Sequence, residues 1–281
     1  MIQIPIVSTN AQIHPPNLVT SPFLVAPFNS EEKKPRPSLR LEALVRSIPS
    51  LPMQTAVLGT CLDGYPILFD LKDPRPGPIL LVGDPFCGKT ALLKTIAQSL
   101  MMTNRPYEVD FNVISAHPQE WTIESSRYSD YFPVITSNYE RSAGEAILNI
   151  CDLVESRQHG KRLGACRLLL LDGLDTLPYM DFDVRLNFEW LLQEGPSYQV
   201  WPVVAVTTAA ALNHPQWIKF FRTRVAGYVE NQKTGRELSL LREIDLTKMD
   251  PGQQFAVRVG REGYPFWLPE SDGTFTIKNH R

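Results

Sequence analysis

The residues best equipped for chemistry in this 281-residue chain stand together in one octapeptide, Gly83-Asp84-Pro85-Phe86-Cys87-Gly88-Lys89-Thr90. It satisfies G-x-x-x-x-G-K-[ST] without a mismatch. That spacing serves one task. Glycines let the backbone curl so that successive amides point inward at phosphate oxygens, and the helix that starts at the end of the loop adds partial positive charge. The Lys89 ammonium then reaches the β- and γ-phosphates, while Thr90 offers its hydroxyl to Mg²⁺ and Ala91 carries the cradle into the helix. The loop therefore predicts a site for ATP·Mg²⁺ built from residues 83–91.

A second acidic motif follows 80 residues later. Arg167-Leu168-Leu169-Leu170-Leu171-Asp172 is an apolar strand ending in an acid, the arrangement that places a carboxylate near the same metal as Thr90. The next residue is Gly173, where many motor ATPases place a glutamate to orient the attacking water. Asp175 supplies a carboxylate if the chain turns it back toward the γ-phosphate; alternatively it caps the element that follows. Glu189 and Glu194 are more distant acids. Thr207-Thr208, at the end of another apolar run, either touch the γ-phosphate or terminate a strand. Cys87 is either a small filler or a thiol activated by the helix N-terminus.

The elements that must hold these residues alternate along the chain. A strand at 79–82 feeds the loop, and residues 89–102 repeat apolar positions at helical spacing, as in the crossover of a βαβ unit. Further strands are expected at 109–115, 134–136, 167–171, 202–207 and 225–229, and helices at 140–157 and 183–193. Residues 238–268 look like short closing strands after a helix or turn. Before the loop, 55–60 and 66–71 flank Asp63-Gly64 as a β-hairpin. The fold class is α/β, a mostly parallel twisted sheet with helices on both faces. Nine prolines in residues 1–53 forbid a long helix or a central strand there, so this stretch reads as an extended proline-rich arm before an ATPase domain at 54–281.

Composition narrows the partners. A formal charge of −2 gives no global attraction to nucleic acid or anionic membrane. Local basic groups remain at Lys161, Arg162 and Arg167 and at Lys219, Arg222 and Arg224. No apolar run approaches the roughly 20 residues that span a bilayer, and the N-terminus lacks a signal-peptide pattern. The four cysteines, Cys61, Cys87, Cys151 and Cys166, show no metal or disulfide spacing, which suits a reducing cytoplasm. The five histidines are scattered without metal spacing.

Taken in order, these segments resemble the FtsK/HerA-like branch of P-loop ATPases over most of residues 54–268. LGTCLDGYPILFDL resembles the lead-in hairpin, LLLLDGLDTL the Walker B strand, WPVVAVTTAAAL the strand after it, and IKFFRTRVAGYV the segment around the family's arginine. The resemblance implies a RecA-like core, hexameric rings with ATP/ADP between subunits of a homo-oligomer, and DNA or protein as the translocated substrate. It also gives Arg224 the position of an arginine that senses a neighbour's phosphate. Lys89, Asp172, Asp175 and Arg224 are then the catalytic candidates, with Thr90 and Asp172 on the metal. Gly173, and Ser197 where translocases often carry arginine, are departures that bring the chain nearer to degenerate secretion-type relatives. The alternative to a motor is a nucleotide-dependent assembly component with slow hydrolysis; DGLD also resembles NACHT-type switches.

Overall fold

The computed structural model describes residues 39–160 and 164–271. Most of the proline-rich arm, Lys161, Arg162, His14 and His280 lie outside the described residues. The chain enters through a short helix, α1 (Leu41–Ser47), whose Leu41, Leu44 and Val45 recur at helical spacing and are buried in the core. The expected hairpin follows as β1 (Thr55–Cys61) and β2 (Pro66–Asp70). Its turn closes with Gly64 N–H on Cys61 O at 3.0 Å and Tyr65 N–H on Asp63 Oδ1 at 3.1 Å.

The alternating section then runs β3 (Ile79–Gly83), α2 (Lys89–Thr103), β4 (Val109–Ser115), α3 (Thr122–Arg127), β5 (Val134–Ser137), α4 (Arg141–Gln158), β6 (Cys166–Asp172), α5 (Phe182–Glu194), β7 (Val200–Thr207), α6 (Thr208–Asn213), α7 (Pro215–Ile218) and β8 (Thr223–Ala226). A last helix, α8 (Gln232–Ser239), precedes β9 (Gln254–Val259) and β10 (Glu262–Trp267). Strand β8 starts and ends earlier than the apolar run 225–229 suggested. Beyond Ala226 the chain bends over the phosphate loop instead, with Gly227 N–H on Val82 O and Asp84 N–H on Tyr228 O, both 2.9 Å.

All ten strands form one sheet in the order β2-β1-β10-β9-β8-β3-β7-β6-β4-β5. The six from β8 to β5 are parallel, and the other four add on antiparallel. The hairpin that precedes β3 in sequence is therefore not beside it in space. Both edges of β3 are taken by β7 and β8, so the hairpin joins the sheet through β10. It is anchored by Phe69 meeting Trp201 edge-on at 5.3 Å.

Helices cover both faces. One core layer gathers α1, α2 and the hairpin; the other gathers α4, α5, α6 and α8. Polar groups at strand starts are matched locally. Arg167 of β6 forms a two-pronged ion pair with Asp110, its direct neighbour on β4, at 2.6 and 2.5 Å. Arg157 of α4 donates to Tyr198 O and Ala165 O, both 2.7 Å, and stitches the helix end to the strands beneath.

The buried central strands set the stability. Leu170 on β6 is fully buried, so Leu170→Ala is expected to lower the unfolding free energy by about 2–5 kcal/mol in urea titration. Tyr179→Ala, at a side chain 90% exposed, should change it by less than about 0.5 kcal/mol.

Candidate functional site

The parallel register brings four strand ends to one place. Gly83 of β3 lies opposite Thr207 of β7, and Asp172 of β6 lies between Ala205 of β7 and Ser115 of β4. The phosphate loop rises from β3, a strand buried along its whole length. Gly88, just before α2, has φ +93°, and a Cβ there would stand 2.8 Å from Gly252 Cα. Only glycine suits both the left-handed backbone and that close approach.

Lys89 folds back across the loop. Its Nζ donates to Gly83 O at 3.0 Å and Asp84 O at 2.9 Å and lies 3.5 Å from Cys87 Sγ. Thr90 Oγ1 donates to Asp172 Oδ2 at 2.7 Å, and Ser115 Oγ lies 3.5 Å from the same oxygen. The two residues expected on one metal thus touch across 82 positions of sequence. Burial pushes the Asp172 carboxyl above its ordinary range; the Thr90 hydrogen bond and Lys89 oppose this, and the charge of Glu120 adds to it. A half-buried carboxylate that resists ionisation gains most from a cation beside it, and its hydroxyl neighbour supplies a second hard oxygen, so these residues fit Mg²⁺. Among the described residues no group of three or more His, Cys, Asp or Glu could hold a metal. A cation here would draw its other oxygens from phosphate and water, as Mg²⁺ does.

The remaining loop residues serve its shape. Asp84 turns away from the phosphate cradle: its carboxylate accepts from Thr208 Oγ1 and from Glu230 N–H, the latter at 2.8 Å. Those bonds tie the loop to the starts of α6 and α8. Thr207 caps α6, accepting from Ala210 N–H at 3.2 Å. Phe86, next to Pro85, has φ +63° and is 96% exposed. Cys87 is fully buried and burial pushes its thiol up, the opposite of an activated thiol.

Gly173 has φ +116°, and a Cβ there would approach Asn138 Nδ2 to 3.3 Å. Glutamate at this position would adopt a backbone that L-residues rarely take. Asp175 is exposed within the 3₁₀ turn Leu174–Tyr179, whose N-cap is Gly173, so Asp175 is not that cap. Glu189 and Glu194 lie along α5, packed against α4. Arg224 sits opposite Leu80, three residues before the loop. Its guanidinium donates to Ile218 O at 3.0 Å, Phe221 O at 3.1 Å and Leu238 O at 2.7 Å, joining the chain after α7 to the end of α8. Of the basic groups near it, Arg222 reaches Arg75 O at 3.4 Å and Lys219 lies over the Phe220 ring.

Three further polar residues near these strand ends belong to no motif. Ser115 and Asn138 stand at or just after strand ends, which is their only sequence signal; Asn138 is buried and its Oδ1 has no hydrogen-bond partner among the described residues. Glu120 lies in the 3₁₀ turn Pro118–Trp121 after β4, with its carbonyl held by Lys94 of α2. Its carboxylate makes no hydrogen bond or ion pair among the described residues, and no motif marks it.

No protein-family model matches the sequence. No curated protein matches it either. Solved structures do. EssC (ATPases 2 and 3) from Geobacillus thermodenitrificans superposes with a TM-score of 0.65 at 13% identity, covering 90% of this chain and 50% of that one. EccC (ATPases 2 and 3) from Thermomonospora curvata, in complex with a signal sequence peptide, gives 0.61 at 14% identity over 78% of this chain and 41% of that one. The monomer form of the pCW3 conjugation coupling protein TcpA with ATPgS gives 0.56 at 16% identity over 78% and 66%. The chain thus spans about half or less of the EssC and EccC structures it matches. Among the described residues no helix is long and apolar enough to cross a membrane. With six parallel strands, the loop 83–90 after β3 and the acid at the end of β6, the chain shares the fold of these ATPase structures.

Proposed function

We propose that this chain binds ATP·Mg²⁺ in the loop 83–91 and hydrolyses it slowly, as a subunit of a homo-oligomer with nucleotide at the interfaces. The observation that carries the reading is the meeting of Thr90 with Asp172 at 2.7 Å beside Lys89. The loop amides and Lys89 would take the phosphates, and Thr90 and Asp172 the Mg²⁺, which when bound withdraws charge from phosphoryl oxygens.

Hydrolysis needs a water aligned on the γ-phosphorus and a base to receive its proton as ADP leaves. Gly173 offers no side chain for this, and its backbone disfavours one. Glu120, whose carboxylate is unpaired among the described residues and whose charge is felt at Asp172, is a candidate base beside Asp175. A makeshift base on a separate loop gives slow turnover, which favours an assembly or switch component over a fast translocase. Subunit contact at the site is supported by aromatic side chains left in solvent around the strand ends: Phe86, Tyr139 and Tyr179. A hexameric ring, and DNA or protein as the polymer acted on, extend the reading by likeness of fold. Four buried, unpaired cysteines suit a reducing cytoplasm.

Lys89→Ala is expected to weaken ATP binding at least tenfold in calorimetry; equal affinity would remove the nucleotide reading. The wild type should release phosphate at less than about 1 per second, the low end of enzyme turnover, in a coupled assay. Glu120→Gln should cut that rate by about a hundredfold or more with ATP affinity unchanged, whereas Asp175→Asn should leave the rate as it is. The reverse pattern would hand the role to Asp175.

A further inference from the structure

At the end of the sheet away from the phosphate loop, the last turn of α8 and the β9–β10 turn enclose a groove of about 800 Å³. Arg236 and Arg242 line it from the helix side and Arg258 and Arg261 from the strand side. All four are exposed, and among the described residues none makes an ion pair. Arg258 spends one donor on Gly260 O at 3.0 Å. Two carboxylates, Glu237 and Glu243, stand in the same groove yet are not paired with any of them. In a chain of net charge −2 this is a local positive field. Gathering four guanidiniums without pairing them costs the fold through repulsion and returns nothing to it.

We propose that this groove is a docking site for an acidic peptide segment of a partner protein. Guanidiniums present forked donors that match carboxylates, so an array of them recognises acidic side chains at spaced positions. Three features favour a peptide over a nucleic acid. The two glutamates would repel an unbroken run of phosphates, whereas a peptide can place a neutral or basic residue opposite them. Leu240, 43% exposed, gives the groove an apolar contact for a partner's aliphatic side chain, with the buried Leu241 beneath it. Among the described residues no aromatic ring lines it, so these residues offer no platform on which unpaired bases stack.

The test uses the full chain and fluorescence anisotropy with a labelled dodecapeptide of four Glu-Ala-Leu repeats, beside a labelled single-stranded DNA dodecamer. The peptide is expected to bind in a salt-sensitive manner, and Arg258→Glu with Arg261→Glu to weaken it at least tenfold. Lys233→Glu, on α8 but outside the groove, should change binding less than twofold. An unfolding midpoint matching the wild type shows that the double variant is folded; if it is not, Arg236→Gln with Arg242→Gln replaces it. The proposal is overturned if the wild type does not bind the peptide, if removing the arginines leaves binding intact, or if the DNA binds more tightly through the same arginines. These outcomes do not depend on nucleotide binding at Lys89.

Discussion

The structure depends on one constraint: a strand buried on both faces and both edges must end in a tight loop that turns straight into a helix. Strand β3 meets the first half by lying between β7 and β8 with no exposed residue. The loop meets the second half through Gly88, whose left-handed backbone packs on Gly252. With β3 fixed, the neighbouring strands can only deliver their own last residues to the same rim. Thr207, Asp172 and Ser115 arrive there because the pairing is parallel and in register.

The same constraint explains how an acid is tolerated inside a phosphate loop. Asp84 would repel an anionic ligand if it faced inward. Its carboxylate is instead committed to Thr208 and Glu230, so the negative charge becomes a brace between the loop and the starts of α6 and α8. Gly173 is a second case where backbone decides chemistry. Its positive φ and the nearby Asn138 amide make the absence of glutamate a property of the turn and not of one substitution. The arginines divide along similar lines: Arg157, Arg167 and Arg224 are spent on carbonyls or a carboxylate within the fold, whereas those around the α8 groove form no ion pair among the described residues and are exposed.

Much of the architecture can be read from the chain because burial leaves a periodic trace. Strands such as β4 and helices such as α4 announce themselves by apolar spacing, and the octapeptide at 83–90 carries its own geometry, since few other residues could hold it. Short elements leave no such trace. The helices α3, α6 and α7 are too brief for periodicity to register. The end of β8 is set by hydrogen bonds from the loop, not by its own apolar run.

The sequence by itself determined the glycine-flanked turn at 83–90 between a strand and a helix, the acid at the end of β6 and the α/β alternation, because each rests on residue type and local spacing. Only the tertiary structure decided that Thr90 touches Asp172, that Arg224 is held by three carbonyls, and that the leading hairpin joins the far side of the sheet through β10. Those are contacts between residues far apart in sequence. They follow from which strand edges are free and how the loops cross the rim, and neither quantity has a local signature in the chain.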